Sequence, residues 1–276
     1  MAENPEMLLG RVTAYPDSYS PNKLQRLSRS HARRSLGLAD DESLPFSGAD
    51  LWTAYELSWL NRKGTPGIGI AEITVPCESP SIIESKSLKL YLNSLNEHNF
   101  GSREDLLATL MADLSELCGV AVSIELIDID TYQEKGFVHF DGISLDQFEV
   151  QCRDSSPNPD LLKLSDTGEL VDESLYSHLF KSNCPVTGQP DWASVFVSYS
   201  GNAIERHALL AYLVSYRHHQ AFHEHCVERI FTDIKSRCQP SRLTVVARYT
   251  RRGGIDINPW RSSEAEAPCN YRLSRQ

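Results

Sequence analysis

The chain contains an internal repeat, which restricts it to architectures in which one folding unit occurs twice. Ile83–Ser94 lines up with Ile204–Ser215, and Ile, Glu, Leu, Tyr, Leu and Ser recur at matching positions. Further along, Leu106, Leu107, Leu110, Met111 and Leu114 share an apolar register with Cys226, Val227, Ile230, Phe231 and Ile234, and Asp113 matches Asp233. Amphipathic helices resemble one another by chance. Two in the same order, each pair preceded by matching strand-like runs, are harder to dismiss. At 276 residues the chain is long enough for two domains of ordinary size.

In the first copy, residues 51–60 and 68–75 have strand character and residues 61–67 supply a Gly- and Pro-containing turn, the pattern of a hairpin. Residues 85–95 and 103–118 read as helices. The second carries Leu106, Leu107, Leu110, Met111, Leu114 and Leu117 on one face. Residues 120–127 form a strand, and residues 136–140 are expected to form another. In the second copy, residues 175–180 and 193–199 are strands, 205–218 and 223–238 helices, and 243–249 and 254–257 closing strands. The expected organisation is an extended N-terminal arm (1–48), a first module (49–141), a polar inter-module segment (142–168) and a second module (169–276).

Composition excludes several classes. A net charge of −10 makes a nucleic-acid backbone an unfavourable partner. Seven cysteines, with no C-x-x-C among them, argue for a reducing compartment rather than a disulfide framework. The N-terminus is polar and acidic and no apolar run reaches membrane-spanning length, so a cytoplasmic protein is expected, without a membrane partner.

Chemistry is concentrated where the two copies differ. In Ser182–Trp192, Pro185, Gly188 and Pro190 break regular structure, so Cys184 falls on a loop between two ordered elements, with Asp191 at the mouth of the next strand. The structural alternative for Cys184 is a small buried hydrophobe, and for Asp191 a turn residue. Aligned by sequence, Cys184 stands opposite about Lys63, and Phe222-His223-Glu224 opposite Gly101-Ser102-Arg103. Glu84-Ser85-Lys86 is replaced in the second copy by Glu205-Arg206-His207. Each copy thus holds part of one set of groups, and a site between the modules is expected. Cys118, Cys226 and Cys238 lie in helical patterns, and Cys77, Cys152 and Cys269 are likewise read as structural. His207, His218, His219, His223 and His225 cluster without a third ligand of the usual zinc kind, so no metal site is expected. No G-x-G-x-x-G follows a strand, which excludes a Rossmann turn. Ser85-Lys86 and Arg252-Gly253, with a close-approaching glycine backbone, could instead hold the phosphates of a dinucleotide, and a 2′-phosphate favours NADPH; a solvated basic turn is the plainer reading.

Four motifs in this order, Glu84-Ser85-Lys86-Ser87-Leu88-Lys89-Leu90-Tyr91, Cys184–Trp192, Phe222-His223-Glu224 and Arg248–Gly254, resemble the signature of the NADPH-dependent 7-cyano-7-deazaguanine reductases, nitrile reductases of queuosine biosynthesis, in their two-module form. The likeness runs from about Leu44 to the C-terminus. It implies an α+β fold of tandem tunnelling-fold modules, antiparallel sheets backed by helices that form a barrel on association, and a homodimer. It implies reduction of the nitrile to an aminomethyl group by two NADPH, with Cys184 forming a thioimide, Asp191 giving the proton and His223 beside the reacting group. Ile83, Glu84, Ser85, His223 and Glu224 are then expected to hold the deazaguanine, and Ser85, Lys86, Arg252 and Gly253 the NADPH. Two other readings stay open at this stage. One is a zinc-dependent purine or pterin enzyme of the same fold, with Cys184 and a histidine as ligands. The other is a non-catalytic binder of purine-like metabolites, against which the joint presence of Cys184, Asp191 and His223 speaks, because a binder needs no nucleophile.

Overall fold

A computed structural model of the chain describes residues 15–38, 43–151, 154–265, 268, 270 and 272–276. Cys152 and Cys269 therefore lie outside the described residues. The fold is mixed α+β and divides into two compact units. The first comprises the described residues up to Arg34, Leu51–Gly136 and Arg251–Asp256; the second comprises Ser35–Asp50, Phe137–Thr250 and the residues from Ile257 on. Arg251–Asp256, expected from sequence in the second module, thus counts with the first unit. Among the described residues no helix is long and apolar enough to cross a membrane.

The first unit contains β1 (Arg26–Ser28), α1 (Ser30–Ser35), most of β2 (Ser47–Leu60), β3 (Pro66–Pro76), β4 (Ser81–Ile83), α2 (Ser85–Asn93), α3 (Arg103–Cys118), β5 (Ser123–Ile127) and α4 (Ile129–Glu134). β2 and β3 form the expected hairpin. Its turn is closed by the Asn61 side chain, whose Oδ1 accepts from the backbone of Lys63 and Thr65, with Gly64 at φ +76°. β5 pairs antiparallel with β3 on its other edge. α3 packs on β4 and β5 through Leu106, Leu110, Leu114 and Cys118, all buried. Met111 is exposed, so the apolar face is narrower than its leucine pattern implies.

The second unit contains β6 (Ile143–Ser144), β7 (Leu170–Asn183), β8 (Pro190–Asn202), α5 (Arg206–Val214), α6 (His223–Cys238), β9 (Arg242–Tyr249) and most of β10 (Ile255–Ser262). Its sheet runs in the order β10-β9-β8-β7-β6, antiparallel except for β6 beside β7. α6 packs on β9 and α5 on β7. A buried charge cluster ties α6 to this unit: Arg261 on β10 reaches Asp50 Oδ1 at 2.9 Å and Glu228 Oε1 on α6 at 2.9 Å. Removing one member would strand a charge in the core.

Three expectations are corrected. Residues 136–140 form no strand. Gly136, at φ +58°, turns the chain out of α4, and Phe137 and Val138 are exposed. Nor is the N-terminal arm merely extended, since β1 pairs with β4 and Pro21–Lys23 makes a turn of 3-10 helix. The last strand continues past Ile257 to Ser262 through Pro259, a residue that usually ends a strand.

Candidate active site

Cys184 is positioned by backbone hydrogen bonds on both sides. It follows Asn183, the last residue of β7, and its loop runs to Pro190 at the start of β8. Cys184 N–H donates to Gln189 C=O at 2.9 Å, and its own C=O accepts from Gly188 N–H at 3.0 Å. Gly188 makes that turn at φ +69°. One residue earlier, Asn183 N–H donates to His219 C=O at 2.8 Å and Asn183 C=O accepts from Ala221 N–H at 3.2 Å. The segment leading into α6 is therefore bonded directly to the base of the Cys184 loop. Cys184 as a whole is 3% exposed.

Asp191 and His223 join it through sheet register. Ser182 pairs with Asp191 across β7 and β8, Phe180 with Ala193, and Ala193 with Tyr249 on β9. Directly paired and alternate residues share one face of a sheet, so Ser182, Asp191, Ala193 and Tyr249 all point the same way. His223, the first residue of α6, lies on that face. Its Nε2 is 3.4 Å from Asp191 Oδ2, and its ring stacks on Tyr249 with centroids 3.7 Å apart and planes 17° off parallel. Cys184 is a diagonal neighbour of Asp191 across the hairpin, with the two backbones roughly 7–8 Å apart by strand geometry. Glu224, next on α6, is buried at the helix N-terminus, where a carboxylate is favoured. A carboxyl and an imidazole thus meet at the end of the β7–β8 hairpin, next to the loop that carries the Cys184 thiol.

Beneath them lies a closed layer. The Tyr249 and Ser182 hydroxyls and the Cys226 thiol meet there, and burial pushes Cys226 up to about 12. Such a thiol stays protonated and inert.

The first unit holds the second group of expected residues. β4 ends at buried Ile83, and Glu84 caps α2: Oε1 accepts from Lys86 N–H at 3.0 Å and Oε2 from Ser87 N–H at 2.7 Å. Glu84 is fully buried. Burial raises its carboxyl above the usual range, opposed by those two N–H groups and by the charges of Lys86 and Arg252. Arg252 begins the turn after β9, where Gly253 and Gly254 sit at φ +64° and +77°. A Cβ on Gly253 would lie 2.8 Å from Lys89 Nζ, and one on Gly254 would overlap the Glu56 carboxylate. The positive φ values at both positions favour glycine, and the turn lies against the ends of Lys89 on α2 and Glu56 on β2. A groove lined by Ala54, Glu56, Lys89, Asn93, Gly253 and Gly254 results. Lys86, Arg252 and the bare Gly253 backbone suit a phosphorylated cofactor, so the residues present fit a dinucleotide held outside a Rossmann turn. Among the described residues no group of three or more His, Cys, Asp or Glu side chains is placed to hold a metal ion.

Two family models match the chain. One, described as nitrile reductase, 7-cyano-7-deazaguanine-reductase N-term, covers residues 15–126; the other, described as QueF-like protein, covers residues 190–268. Curated relatives match over nearly the whole length. An NADPH-dependent 7-cyano-7-deazaguanine reductase of Acidovorax ebreus (strain TPSY) is 50% identical over 275 residues, 97% of each chain. Those of Albidiferax ferrireducens and Desulfotalea psychrophila are 50% and 48% identical and cover 97% of this chain and 97% and 96% of their own. The chain belongs to the NADPH-dependent 7-cyano-7-deazaguanine reductase family.

Within this reductase fold, two features escape sequence reasoning. The counterpart of Cys184 in the first unit is Asn61, not Lys63. Leu60 N–H donates to His98 C=O and Leu60 C=O accepts from Phe100 N–H, as the Asn183 backbone does with His219 and Ala221. Asn61 N–H then donates to Thr65 C=O, as Cys184 N–H does to Gln189 C=O, but the second loop is one residue longer. A gap inside a turn is invisible to a helix-based alignment. The second feature is Tyr249, which stands inside the Arg248–Gly254 motif with no signal of its own, because its stacking on His223 is tertiary.

Proposed function

We propose that this chain reduces the nitrile of 7-cyano-7-deazaguanine to the aminomethyl group, in the cytoplasm, as a step toward queuosine in tRNA. The observation that carries this reading is the contact of His223 with Asp191 at the end of the β7–β8 hairpin, beside the loop that carries Cys184. A nitrile carbon accepts hydride poorly until a nucleophile has added to it. The Cys184 sulfur bonds to that carbon and one C–N π bond breaks. The nitrile nitrogen takes a proton from Asp191, which recovers one from the thiol, so charge balances. His223, against Asp191, keeps that carboxyl aimed at the nitrogen. NADPH supplies hydride for each of two reductions. After the first, the carbon–sulfur bond breaks, which frees Cys184 and leaves a carbon–nitrogen double bond for the second, and two further protons complete the amine.

Glu84 and Glu224 accept from the ring N–H and exocyclic amine of the base. A carboxylate has about four acceptor sites, so the two capping bonds at Glu84 leave capacity. Ile83, Ser85 and His223 complete the base contacts, and Ser85, Lys86, Arg252 and Gly253 hold the cofactor phosphates. The repeat and the family support tandem tunnelling-fold modules that close into a barrel in a homodimer.

Incubation with the nitrile, first without and then with NADPH, tests the proposal by intact mass and absorbance. The expected result is an adduct of the nitrile's full mass on Cys184, converted to amine with two NADPH oxidised per nitrile. Cys184→Ala should form no adduct and turn over at least a thousandfold slower, with melting unchanged. An adduct mapped to another cysteine would overturn the assignment.

A further inference from the structure

We infer that Tyr249 is the positioning residue that sets the His223 imidazole against Asp191, an inference that rests on the proposed function. The torsion that turns a histidine ring about its Cβ–Cγ bond is broad, so the ring plane needs an outside constraint. A histidine in a catalytic cluster usually gets it from a hydrogen bond on its second nitrogen. Here that device is missing. His223 Nε2 faces Asp191, while Nδ1 is buried without a hydrogen-bond partner among the described residues. What holds the ring is the face of Tyr249, 3.7 Å away and 17° from parallel.

Tyr249 is itself unusually fixed. Its ring is buried at the end of β9, opposite Ala193, with the edge-on ring of Phe180 at 6.2 Å. Two amide side chains grip its backbone. Tyr249 N–H donates to Asn258 Oδ1 at 3.2 Å and Tyr249 C=O accepts from Gln276 Nε2 at 3.3 Å. Gln276 Nε2 also donates to Asn258 Oδ1 at 2.7 Å, and Gln276 Oε1 accepts from Leu273 N–H at 3.0 Å. The tail and β10 thus lock the platform on which the imidazole lies. In this reading the layer acts on the reaction through His223.

The test is a double-mutant cycle read by single-turnover adduct formation. Tyr249→Leu should slow adduct formation at saturating nitrile by about 5–10-fold, the size expected for one lost aromatic stack, with nitrile affinity unchanged. Tyr249→Phe keeps the ring and should stay within about twofold. In a His223→Ala background Tyr249→Leu should cost nothing further, because the residue it positions is gone. An equal cost in both backgrounds, or a Phe variant as slow as the Leu variant, overturns the inference. Should Tyr249→Leu fail to fold, NMR of histidine-labelled wild type decides. The His223 ring protons must show an upfield ring-current shift, and signals at ordinary positions overturn the stack directly. A wild type that forms no adduct removes the proposed function and leaves this ring-current test standing. An active wild type with uncoupled substitutions removes only the positioning role.

Discussion

The two units use the same residues for support and different ones where reactive groups stand. In each, a glutamate caps the first helix: Glu84 accepts from Lys86 and Ser87, and Glu205 from His207 and Ala208. In each, a tyrosine on that helix donates to an aspartate on the next, Tyr91 to Asp113 at 2.5 Å and Tyr212 to Asp233 at 2.7 Å. A serine then closes the helix on the tyrosine carbonyl, Ser94 to Tyr91 and Ser215 to Tyr212, both at 2.6 Å. These shared residues satisfy polar groups that folding would otherwise bury unpaired, which explains why they match between copies. The differences fall at two places. Asn61 uses its side chain to close its own turn, whereas Cys184 in the equivalent place does not. Ser102 caps α3 by accepting from Asp105 N–H, whereas Phe222 leaves α6 without a side-chain cap and is followed by His223 and Glu224. Neither Cys184 nor Phe222 makes the side-chain bond that its counterpart makes, and these are the places where the proposed reactive groups stand.

The glutamates sharpen the comparison most. Glu84 and Glu205 make the same cap, yet Glu205 is half-buried and Glu84 fully buried, and burial raises the Glu84 carboxyl above the usual range. A cap alone does not require that cost. Replacement by serine, which keeps a capping oxygen, should therefore separate the two. Glu84→Ser should weaken nitrile binding by about 2–4 kcal/mol, roughly 30- to 1,000-fold, by leaving a buried donor of the base unpaired. Glu205→Ser should leave binding unchanged. Titration of adduct formation reads both. Equal effects would make Glu84 only a helix-start carboxylate.

Next in size is the proton donor. Asp191→Asn keeps shape and removes the acid, so adduct formation should slow about 100-fold with nitrile affinity nearly intact. Near-normal single-turnover rates would return Asp191 to the role of a strand-start residue, like its neighbours in the hairpin.

How far sequence foretells this molecule follows from how local each feature is. α3 and α6 match their sequence limits, Arg103–Cys118 and His223–Cys238, because long apolar periodicity marks both ends. α4 escapes because six residues are too few to show a period. β1 escapes because three residues show no alternation and pair only with a distant strand. At the candidate site, Pro185, Gly188 and Pro190 make the Cys184 loop legible. The contact of His223 with Asp191 and its stack on Tyr249 depend on register between β7, β8, β9 and the start of α6. No residue type announces such a stack.

The capping difference gives a smaller effect. Ser102→Ala removes the α3 cap and should cost about 1 kcal/mol in urea unfolding. Phe222→Ala removes no cap, so any loss there must come from its edge-on contact with His225 at 5.7 Å. If Ser102→Ala were neutral, the contrast between a capped and an uncapped helix would carry no stability meaning.

The smallest effect concerns the anchor beneath the Cys184 loop. His219 holds Asn183 through its backbone carbonyl, and its ring meets Tyr216 edge-on at 5.6 Å. Burial, with the nearby Arg229 charge adding to it, lowers the imidazole from 6.5 to about 4. In the unfolded chain the ring takes its proton near pH 6.5; in the folded chain it does so only near 4. Between these values the unfolded state binds more protons, so stability is complete above pH 6.5 and declines as pH falls toward 4. The ring is only half-buried, and solvent screening keeps the change modest. His219→Phe keeps an aromatic edge on Tyr216 and removes the titrating group. Urea midpoints measured between pH 7 and pH 4 should fall less steeply in this variant than in the wild type. Because the same residue anchors Asn183, the wild type should also lose adduct formation at Cys184 faster than the variant as pH drops through that window. Parallel pH profiles for the two proteins would show that the anchor does not feel the ring's protonation, and that acid sensitivity of the second unit arises elsewhere.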